Sequence, residues 1–288
     1  MLRLTRHGVR EMVVGSIVLF VLGIGLSWIW RPLGLLVVPI YIWLFAFFRD
    51  PERPIPADSG LLVSPADGLV SDITEVEHDQ WIGGPAVRVG IFLSVFNVHV
   101  NRSPCDGRVL NVQYKKGKFV NAMRHGDASS ENESNTIVLS LSGNEPAIIV
   151  KQIVGLIARR IICTAAVGDV IGRGERIGMI KFGSRTELTI DKKLQPVVQV
   201  KVGQTVRGAA DVIAIIAPPA GAQRLHAEVQ AHQRDHKASE LAPGQIEPGE
   251  IQPAPLAPGA IPRNAQESAE ISAIPNVASQ LASGESLA

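Results

Sequence analysis

The chain has few of the residues that several common kinds of site require. Only Cys105 and Cys163 are cysteines, which are too few and too far apart to argue for a disulfide framework or a metal site. The formal net charge is only +1, so nothing in the composition favours nucleic acid as a partner. Neither metal-ligand spacing nor the glycine fingerprint of a dinucleotide-binding fold is present. We expect both cysteines to be small core residues in a reducing compartment, and we expect no metal.

A long apolar N-terminus is the first feature that the chain does have. Residues 12–30 are almost wholly apolar, and so are residues 33–48. About 20 helical residues cross a bilayer, so the first run is long enough and the second is marginal. The basic residues that flank the two runs are Arg3, Arg6 and Arg10 before the first, and Arg49 and Arg53 after the second. Basic residues at both outer ends predict a membrane-anchoring helical hairpin over residues 1–53 with both ends in the cytoplasm. Its tip either crosses the bilayer or only dips into it.

Residues 54–217 have a different pattern, made of short β-rich runs punctuated by glycine. This pattern predicts a mainly β domain. The predicted strands are residues 61–63, 68–76, 86–92, 109–114, 136–141, 147–154 and 161–165.

Two segments of this domain echo each other. Val167-Gly-Asp-Val-Ile171 leads through a glycine-containing turn to Ile177, and Val202-Gly-Gln-Thr-Val206 leads through Gly208 to Val212. Such units form the pseudo-symmetric hairpins of biotinyl and lipoyl carrier domains, so we expect a flattened β-sandwich or hybrid barrel. Two unrelated hairpins would give the same pattern.

The composition changes again at residue 218. Residues 223–241 have the pattern of a frayed helix. The rest, up to residue 288, consists of Pro, Ala, Gly, Glu and Ser with almost no aromatic residues. Such a composition cannot bury enough apolar surface to fold, so residues 218–288 are expected to form a disordered tail.

A glycine–serine pair ends the apolar, strand-like run 174–184. Gly183 has no Cβ, so its carbonyl is open to approach, and the Ser184 hydroxyl is a nucleophile beside that carbonyl. A Gly-Ser pair is also a common turn. No Gly-x-Ser-x-Gly elbow surrounds Ser184, which disfavours an ordinary serine hydrolase. Lys181, polar on an otherwise apolar strand, is expected to be solvated.

Attack by Ser184 would cut the chain and create a cofactor. The Oγ atom converts the peptide bond to an ester, and loss of the serine α-proton then expels the Gly183 carboxylate. The dehydroalanine at position 184 tautomerises and hydrolyses to a pyruvoyl group with loss of ammonia. The ketone of such a group condenses with an amine, and the group accepts electrons as carbon dioxide leaves.

Five further motifs accompany this pair. They are Phe48-Arg-Asp-Pro-Glu-Arg53, Ser64-Pro-Ala-Asp67-Gly68, the segment 92–102 around His99, Glu131-Asn-Glu133 and the segment 152–160. Together and in this order, they resemble the phosphatidylserine decarboxylase family in its short bacterial form, over roughly residues 10–216.

The resemblance implies a self-processing, pyruvoyl-dependent lyase that converts phosphatidylserine to phosphatidylethanolamine and carbon dioxide in phospholipid biosynthesis. It implies cleavage between Gly183 and Ser184 and a heterodimer of the two products, with higher homo-oligomers left open. The expected location is the cytoplasmic face of the bacterial inner membrane.

Five residues are candidates for work around Ser184. His99 suits acid–base catalysis, although a lone histidine on a strand is more often structural. The resemblance implies that Asp67 orients it, as in a Ser-His-Asp arrangement, although Pro-x-Asp-Gly is also a turn sequence. Asn97 and Asn101 alternate with His99 along the chain and either orient substrate or cap a strand. Arg102 stands where longer relatives have a second histidine, and we expect it to hold the substrate carboxylate or phosphate.

Two rival functions fit parts of the pattern. A membrane-anchored, lipoyl-like adaptor of a transport complex would explain the apolar N-terminus and the echo, but not the Gly-Ser pair. A biotin or lipoate carrier would need a lysine at a hairpin tip, and neither echo has one.

Overall fold

The computed structural model describes residues 3–119, 131–143, 145–155, 160–181 and 184–241, all within one compact unit. The helices are α1 (Val9–Ile29), α2 (Val37–Phe47) and α3 (Ala222–Leu241), with 3-10 segments at Arg6–Gly8, Arg31–Leu36 and Lys192–Leu194. The strands are β1 (Leu61–Val63), β2 (Gly68–Asp79), β3 (Gly84–Leu93), β4 (Val100–Arg102), β5 (Gly107–Lys115), β6 (Ser134–Ser140), β7 (Ile148–Val154), β8 (Arg160–Cys163), β9 (Val170–Ile171), β10 (Arg176–Lys181), β11 (Ser184–Asp191), β12 (Val197–Val198), β13 (Thr205–Val206) and β14 (Val212–Ile215).

The N-terminal apolar runs form two helices joined by a 3-10 segment. With the preceding turn, Arg6–Ile29 makes a helix of 24 residues, which is long and apolar enough to cross a membrane by length and composition. Helix α2 has only 11 residues. Both helices leave large apolar side chains exposed, such as Phe20 and Ile42. An apolar surface of this kind is consistent with association with a membrane.

The rest of the described chain is mainly β, as the sequence predicts. One curled antiparallel sheet has eight strands in the order β13-β2-β3-β11-β7-β6-β5-β9, and two smaller sheets have the orders β1-β14-β12 and β4-β10-β8. All seven predicted strands are present, as β1, β2, β3, β5, β6, β7 and β8. Strand β11 was not predicted, although it lies near the middle of the large sheet.

The internal echo corresponds to a repeated topology. In both copies a two-residue strand (β9 or β13) forms one edge of the eight-stranded sheet, and the following strand (β10 or β14) is the central strand of a three-stranded sheet. The two strands of each copy therefore pair with other strands rather than with each other. Each echo segment therefore connects the large sheet to a small one. In the first copy the second strand is β10, which ends at Lys181, three residues before Ser184.

The main core lies between these sheets. It is formed by aliphatic side chains from nearly every strand, including Leu62, Ile91, Ile137, Leu188 and Ile213, all fully buried. The two cysteines pack in or against this core as free thiols, as predicted.

Helix α3 lies within the region that the sequence analysis assigned to the tail, over nearly the residues (223–241) whose pattern indicated a helix. It contacts β5 and β9, buries Leu225 and Val229, and forms an ion pair between Glu228 and Arg108. The rest of the predicted tail, from residue 242, lies outside the described residues.

Candidate active site

Ser184 is the first residue of β11, the strand between β3 and β7. It is paired with Leu93 on one side and Val154 on the other, and it is fully buried. Its Oγ atom has no hydrogen-bond partner among the described residues. A buried hydroxyl without a partner is uncommon, because its desolvation is then not compensated. The Ser184 hydroxyl is therefore a buried polar group whose desolvation no contact with the described residues compensates.

Charged residues fix the strand that begins with Ser184. The Arg185 side chain is fully buried and pairs with Asp72 at 2.6 Å and with Glu187 at 2.8 Å. Gly90 allows this close packing, because a Cβ atom there would lie 2.0 Å from the Arg185 guanidinium. Buried charges that are paired on several sides hold one geometry. The Arg185–Asp72 pair connects β11 to β2 across the intervening strand β3, one residue after Ser184.

His99 lies beside the segment that leads to Ser184. It directly precedes β4, which pairs antiparallel with β10 through Met179 and Val100. The amide of Ile180 donates to the His99 carbonyl oxygen at 3.2 Å. The chain then runs from Lys181 to Ser184 through residues 182 and 183, which lie outside the described residues. Gly183 and the cleavage site therefore stay predictions.

The two ring nitrogens of His99 have different surroundings. Nδ1 lies 3.0 Å from the Asn97 carbonyl oxygen. A carbonyl oxygen only accepts, so Nδ1 carries the proton of the neutral ring and Nε2 has a free lone pair. Nε2 is buried and has no hydrogen-bond partner within the described ranges. Burial lowers the pKa of His99 to about 4, although the Asn97 contact and the Asp67 charge oppose this. At neutral pH the ring is therefore an uncharged base.

Asp67 binds a different partner from the one expected for an orienting aspartate. Its carboxylate accepts from Arg53 at 2.5 and 2.7 Å and from the Gly208 amide at 2.8 Å. The negative charge of Asp67 raises the pKa of His99, because it favours the protonated imidazole ring. The role of Asp67 in catalysis stays a prediction, and the structure adds Arg53 as the residue that holds it.

The two asparagines beside His99 have different local contacts. Asn97 caps a turn, since its Oδ1 accepts from the amide and hydroxyl of Ser94, both at 2.8 Å. Asn101 is fully buried, donates to the Thr186 hydroxyl at 3.0 Å and accepts from Gln152 at 2.9 Å. Asn101 thus links β4 to β11 two residues after Ser184. Their contact with substrate stays a prediction.

Arg102 is nearly buried and is engaged by the chain that follows the membrane hairpin. It donates to Asp50 at 2.5 Å, to the Pro51 carbonyl oxygen at 3.1 Å and to the Gly174 carbonyl oxygen at 3.0 Å. Binding of substrate by Arg102 also stays a prediction, and it would have to use the N–H groups that these three contacts leave.

Lys181 does not have the solvated position that we expected. Its side chain is 6% exposed and forms an ion pair with Glu11 of α1 at 2.6 Å. No local sequence pattern indicates this pair, because the two residues are 170 positions apart. Lys181 therefore connects the first helix to the strand that leads to Ser184.

The described part of the chain contains no group of three or more His, Cys, Asp or Glu side chains that could hold a metal ion.

Comparison with known proteins gives a family for this arrangement. A family model for phosphatidylserine decarboxylase matches residues 40–214. The phosphatidylserine decarboxylase proenzyme of Rhodopirellula baltica is 46% identical over 212 residues, which are 73% of this chain and 86% of that protein. The proenzyme of Ruegeria pomeroyi is 42% identical over 189 residues, which are 65% of this chain and 84% of that protein. The proenzyme of Carboxydothermus hydrogenoformans is 45% identical over 181 residues, which are 63% of this chain and 83% of that protein. The chain belongs to the phosphatidylserine decarboxylase family.

Proposed function

We propose that this protein is a proenzyme that cuts itself between Gly183 and Ser184, acquires a pyruvoyl group at position 184 and decarboxylates phosphatidylserine to phosphatidylethanolamine. Membership of the family supports an enzyme over the adaptor and over the biotin or lipoate carrier. One observation carries the proposal furthest. Two buried polar atoms, Ser184 Oγ and His99 Nε2, lack hydrogen-bond partners in the described structure, and His99 directly precedes β4, which pairs with β10, the strand that comes before Ser184 in the chain.

His99 fits the first step as a general base. Its Nε2 lone pair takes the Ser184 hydroxyl proton as Oγ attacks the Gly183 carbonyl carbon. The peptide nitrogen of residue 184 gains a proton and leaves, so that an ester replaces the amide. The negative charge of Asp67 favours the imidazolium ion that His99 forms in this step.

The second step breaks the ester. Removal of the Ser184 α-proton expels the Gly183 carboxylate, which leaves dehydroalanine at position 184. Water replaces the nitrogen, ammonia leaves, and the residue becomes a pyruvoyl group. When present, this group supplies a ketone for the substrate amine and accepts the electron pair released with carbon dioxide. Ser184 is fully buried and lies between its paired strands β3 and β7, so this step needs a water molecule that reaches position 184.

The substrate headgroup needs partners that hold its carboxylate and phosphate near position 184. Asn97, Asn101 and Arg102 follow one another around His99, and Asn101 also contacts β11 through Thr186. We assign substrate orientation to this group. After proton delivery to the product carbon, release of phosphatidylethanolamine would complete the cycle.

The two products of cleavage would stay together as a heterodimer. Strand β11 opens the smaller chain, and it pairs along its length with β3 and along most of it with β7, both in the larger chain. Strands β13 and β14 of the smaller chain also pair with β2 and β1 of the larger one. Separation would break hydrogen bonds in two sheets and expose the core between them.

The apolar helices suit a lipid substrate. An anchor in the bacterial inner membrane, with the β domain on its cytoplasmic face, would keep the site close to headgroups that never leave the bilayer. The flanking arginines support this orientation.

Intact mass spectrometry of the purified protein tests the proposal. We expect two chains, the larger ending at Gly183 and the smaller lighter by one ammonia than the same chain with an N-terminal serine. The Ser184→Ala variant should remain a single chain and should release no carbon dioxide from vesicles that contain phosphatidylserine. A folded wild-type protein that stays uncut would refute the proposal and would favour the adaptor.

A further inference from the structure

The base of the membrane hairpin lies directly against the candidate active site. We call residues 47–53, which connect α2 to the β domain, the junction segment. Three of its side chains contact a polar residue of the site: Phe47 contacts His99, Asp50 contacts Arg102, and Arg53 contacts Asp67. In the sequence this segment is the end of the predicted membrane hairpin and contains a family motif, but no local pattern indicates these three contacts. Its contacts indicate a role in placing the site residues.

Phe47 provides the contact closest to the chemistry. It is the last residue of α2 and is 1% exposed. Its ring centroid lies 4.4 Å from that of the His99 imidazole, with 33° between the ring planes. Ring centroids at this distance are in direct van der Waals contact. Phe47 therefore covers part of the His99 ring.

Two contacts are needed to fix the direction of His99 Nε2. The hydrogen bond from Nδ1 to the Asn97 carbonyl oxygen restrains one ring nitrogen but allows the ring to tilt about that bond. The terminal torsion of histidine has a broad energy minimum, so the torsion alone does not prevent this tilt. A flat ring packed against the imidazole does, because tilting would push the two rings into each other. Phe47 supplies the restraint that Asn97 cannot supply.

Phe47 is itself held firmly in place. It packs in a buried cluster with Met12, Phe48 and Met179, so that both helices and β10 meet at this point. The Glu11–Lys181 ion pair ties α1 to the same strand. A side chain surrounded by three elements has little freedom to move.

Ion pairs hold the remainder of the junction segment. The Asp50 carboxylate is 4% exposed and accepts from both Arg102 and Arg176. The Arg53 guanidinium binds Asp67 with two hydrogen bonds. Charges paired in this way resist displacement, because separation would leave one of them buried alone. The end of α2 is therefore anchored to the β domain on the side where His99 lies.

We propose that Phe47 is a positioning residue for His99, so that the base of the hairpin takes part in self-cleavage without touching the reacting atoms. This inference rests on the proposed function. Hairpin docking would then be a condition for efficient maturation, since a displaced hairpin would release the imidazole. A small misplacement of a reacting group can lower a rate by about 100-fold.

The test compares two phenylalanines of one cluster. Phe47 and Phe48 are neighbours and are equally buried, at 1% and 0% exposure, but only Phe47 is found stacked on His99 in the described structure. Full-length precursors carrying Phe47→Leu or Phe48→Leu are synthesised in a cell-free system with phospholipid nanodiscs, and conversion to two chains is followed on gels. We expect Phe47→Leu to cut about 10- to 100-fold more slowly than Phe48→Leu.

A second measurement reports on the histidine itself. Each leucine substitution is placed in the uncut Ser184→Ala background, and the pKa of His99 is followed by NMR with labelled histidine. Loss of the covering ring should raise the pKa of His99 towards its ordinary value in the Phe47 variant but not in the Phe48 variant. Limited proteolysis of the same samples shows that both variants are folded.

The outcomes separate this proposal from the one on which it rests. Equal cutting rates in the two leucine variants would overturn the role of Phe47, and so would an unchanged pKa of His99 in the Phe47 variant. A wild-type precursor that is never cut would instead refute self-processing. In that case the NMR comparison alone still decides whether Phe47 controls the surroundings of His99.

Discussion

Lowering the pH from 7.5 to 5.5 should leave the His99 imidazole uncharged. Burial lowers the pKa of this ring to about 4 from an ordinary value of 6.5. At pH 5.5 a histidine with the ordinary pKa is about 90% protonated, whereas His99 should be only about 3% protonated. His99 would therefore keep its general-base activity at pH 5.5. An exposed histidine in the same role would have about tenfold less of the neutral, active form at pH 5.5 than at pH 7.5.

The same shift links pH to stability. Between pH 6.5 and about 4 the unfolded chain binds a proton at His99 that the folded chain does not bind, so the free energy of unfolding falls as the pH falls. A pKa difference of 2.5 corresponds to about 3 kcal/mol once the pH is below both values. His99→Gln cannot titrate and should lose less stability than the parent over this range.

NMR titration of the Ser184→Ala precursor in detergent measures the pKa directly. Labelled histidine gives seven signals, and the one that disappears in His99→Gln belongs to His99. Burial has the largest effect on the pKa of His99. Two charged groups also act on it: Arg49 lowers this pKa, and Asp67 raises it. A titration midpoint near 6.5 would mean that water reaches the ring. It would refute the argument that His99 is a buried, neutral base.

Three further changes test the fold around the site. Leu188→Ala in the centre of β11 should lower the free energy of unfolding by about 2–5 kcal/mol, since Leu188 is fully buried; a loss below 1 kcal/mol in urea unfolding would contradict the assigned core. Gly178→Ala should lower the melting temperature and slow self-cleavage, because φ is +154° and a Cβ atom would lie 2.0 Å from a backbone oxygen of β8. Gly143→Ala, with nothing within 4 Å, is its matched control, and equal melting temperatures would oppose the expected clash. Glu187→Gln removes the negative charge of one buried partner of Arg185 and should destabilise the protein by about 3 kcal/mol. Unchanged thermal unfolding would show that this charge is not needed.

The sequence predicted the periodic parts of the fold well. Alternating or continuous apolar runs identified seven strands, and two long apolar runs identified the N-terminal helices. Such patterns are informative because the spacing of apolar residues along the chain reflects which faces of an element are buried. The echo of two glycine-containing segments also corresponded to a real repetition of topology.

Strand β11 escaped prediction because its sequence is polar. Ser-Arg-Thr-Glu-Leu-Thr-Ile-Asp contains two charged residues near its start, yet every residue of the strand is buried. Arg185 and Glu187 are tolerated there because they pair with each other and Arg185 also pairs with Asp72. Partners from distant parts of the chain cannot be recognised in a local pattern, so only the tertiary structure identified the central strand.

The chemistry of the site was divided in the same way. The sequence by itself determined which groups are available: a serine after a glycine, a histidine, an aspartate, and a family order that links them. The tertiary structure decided their states, since it buried His99 against Phe47, paired Asp67 with Arg53 and buried Lys181 beside Glu11. The pKa values, tautomers and ion pairs depend on distances between residues far apart along the chain, and folding alone sets those distances.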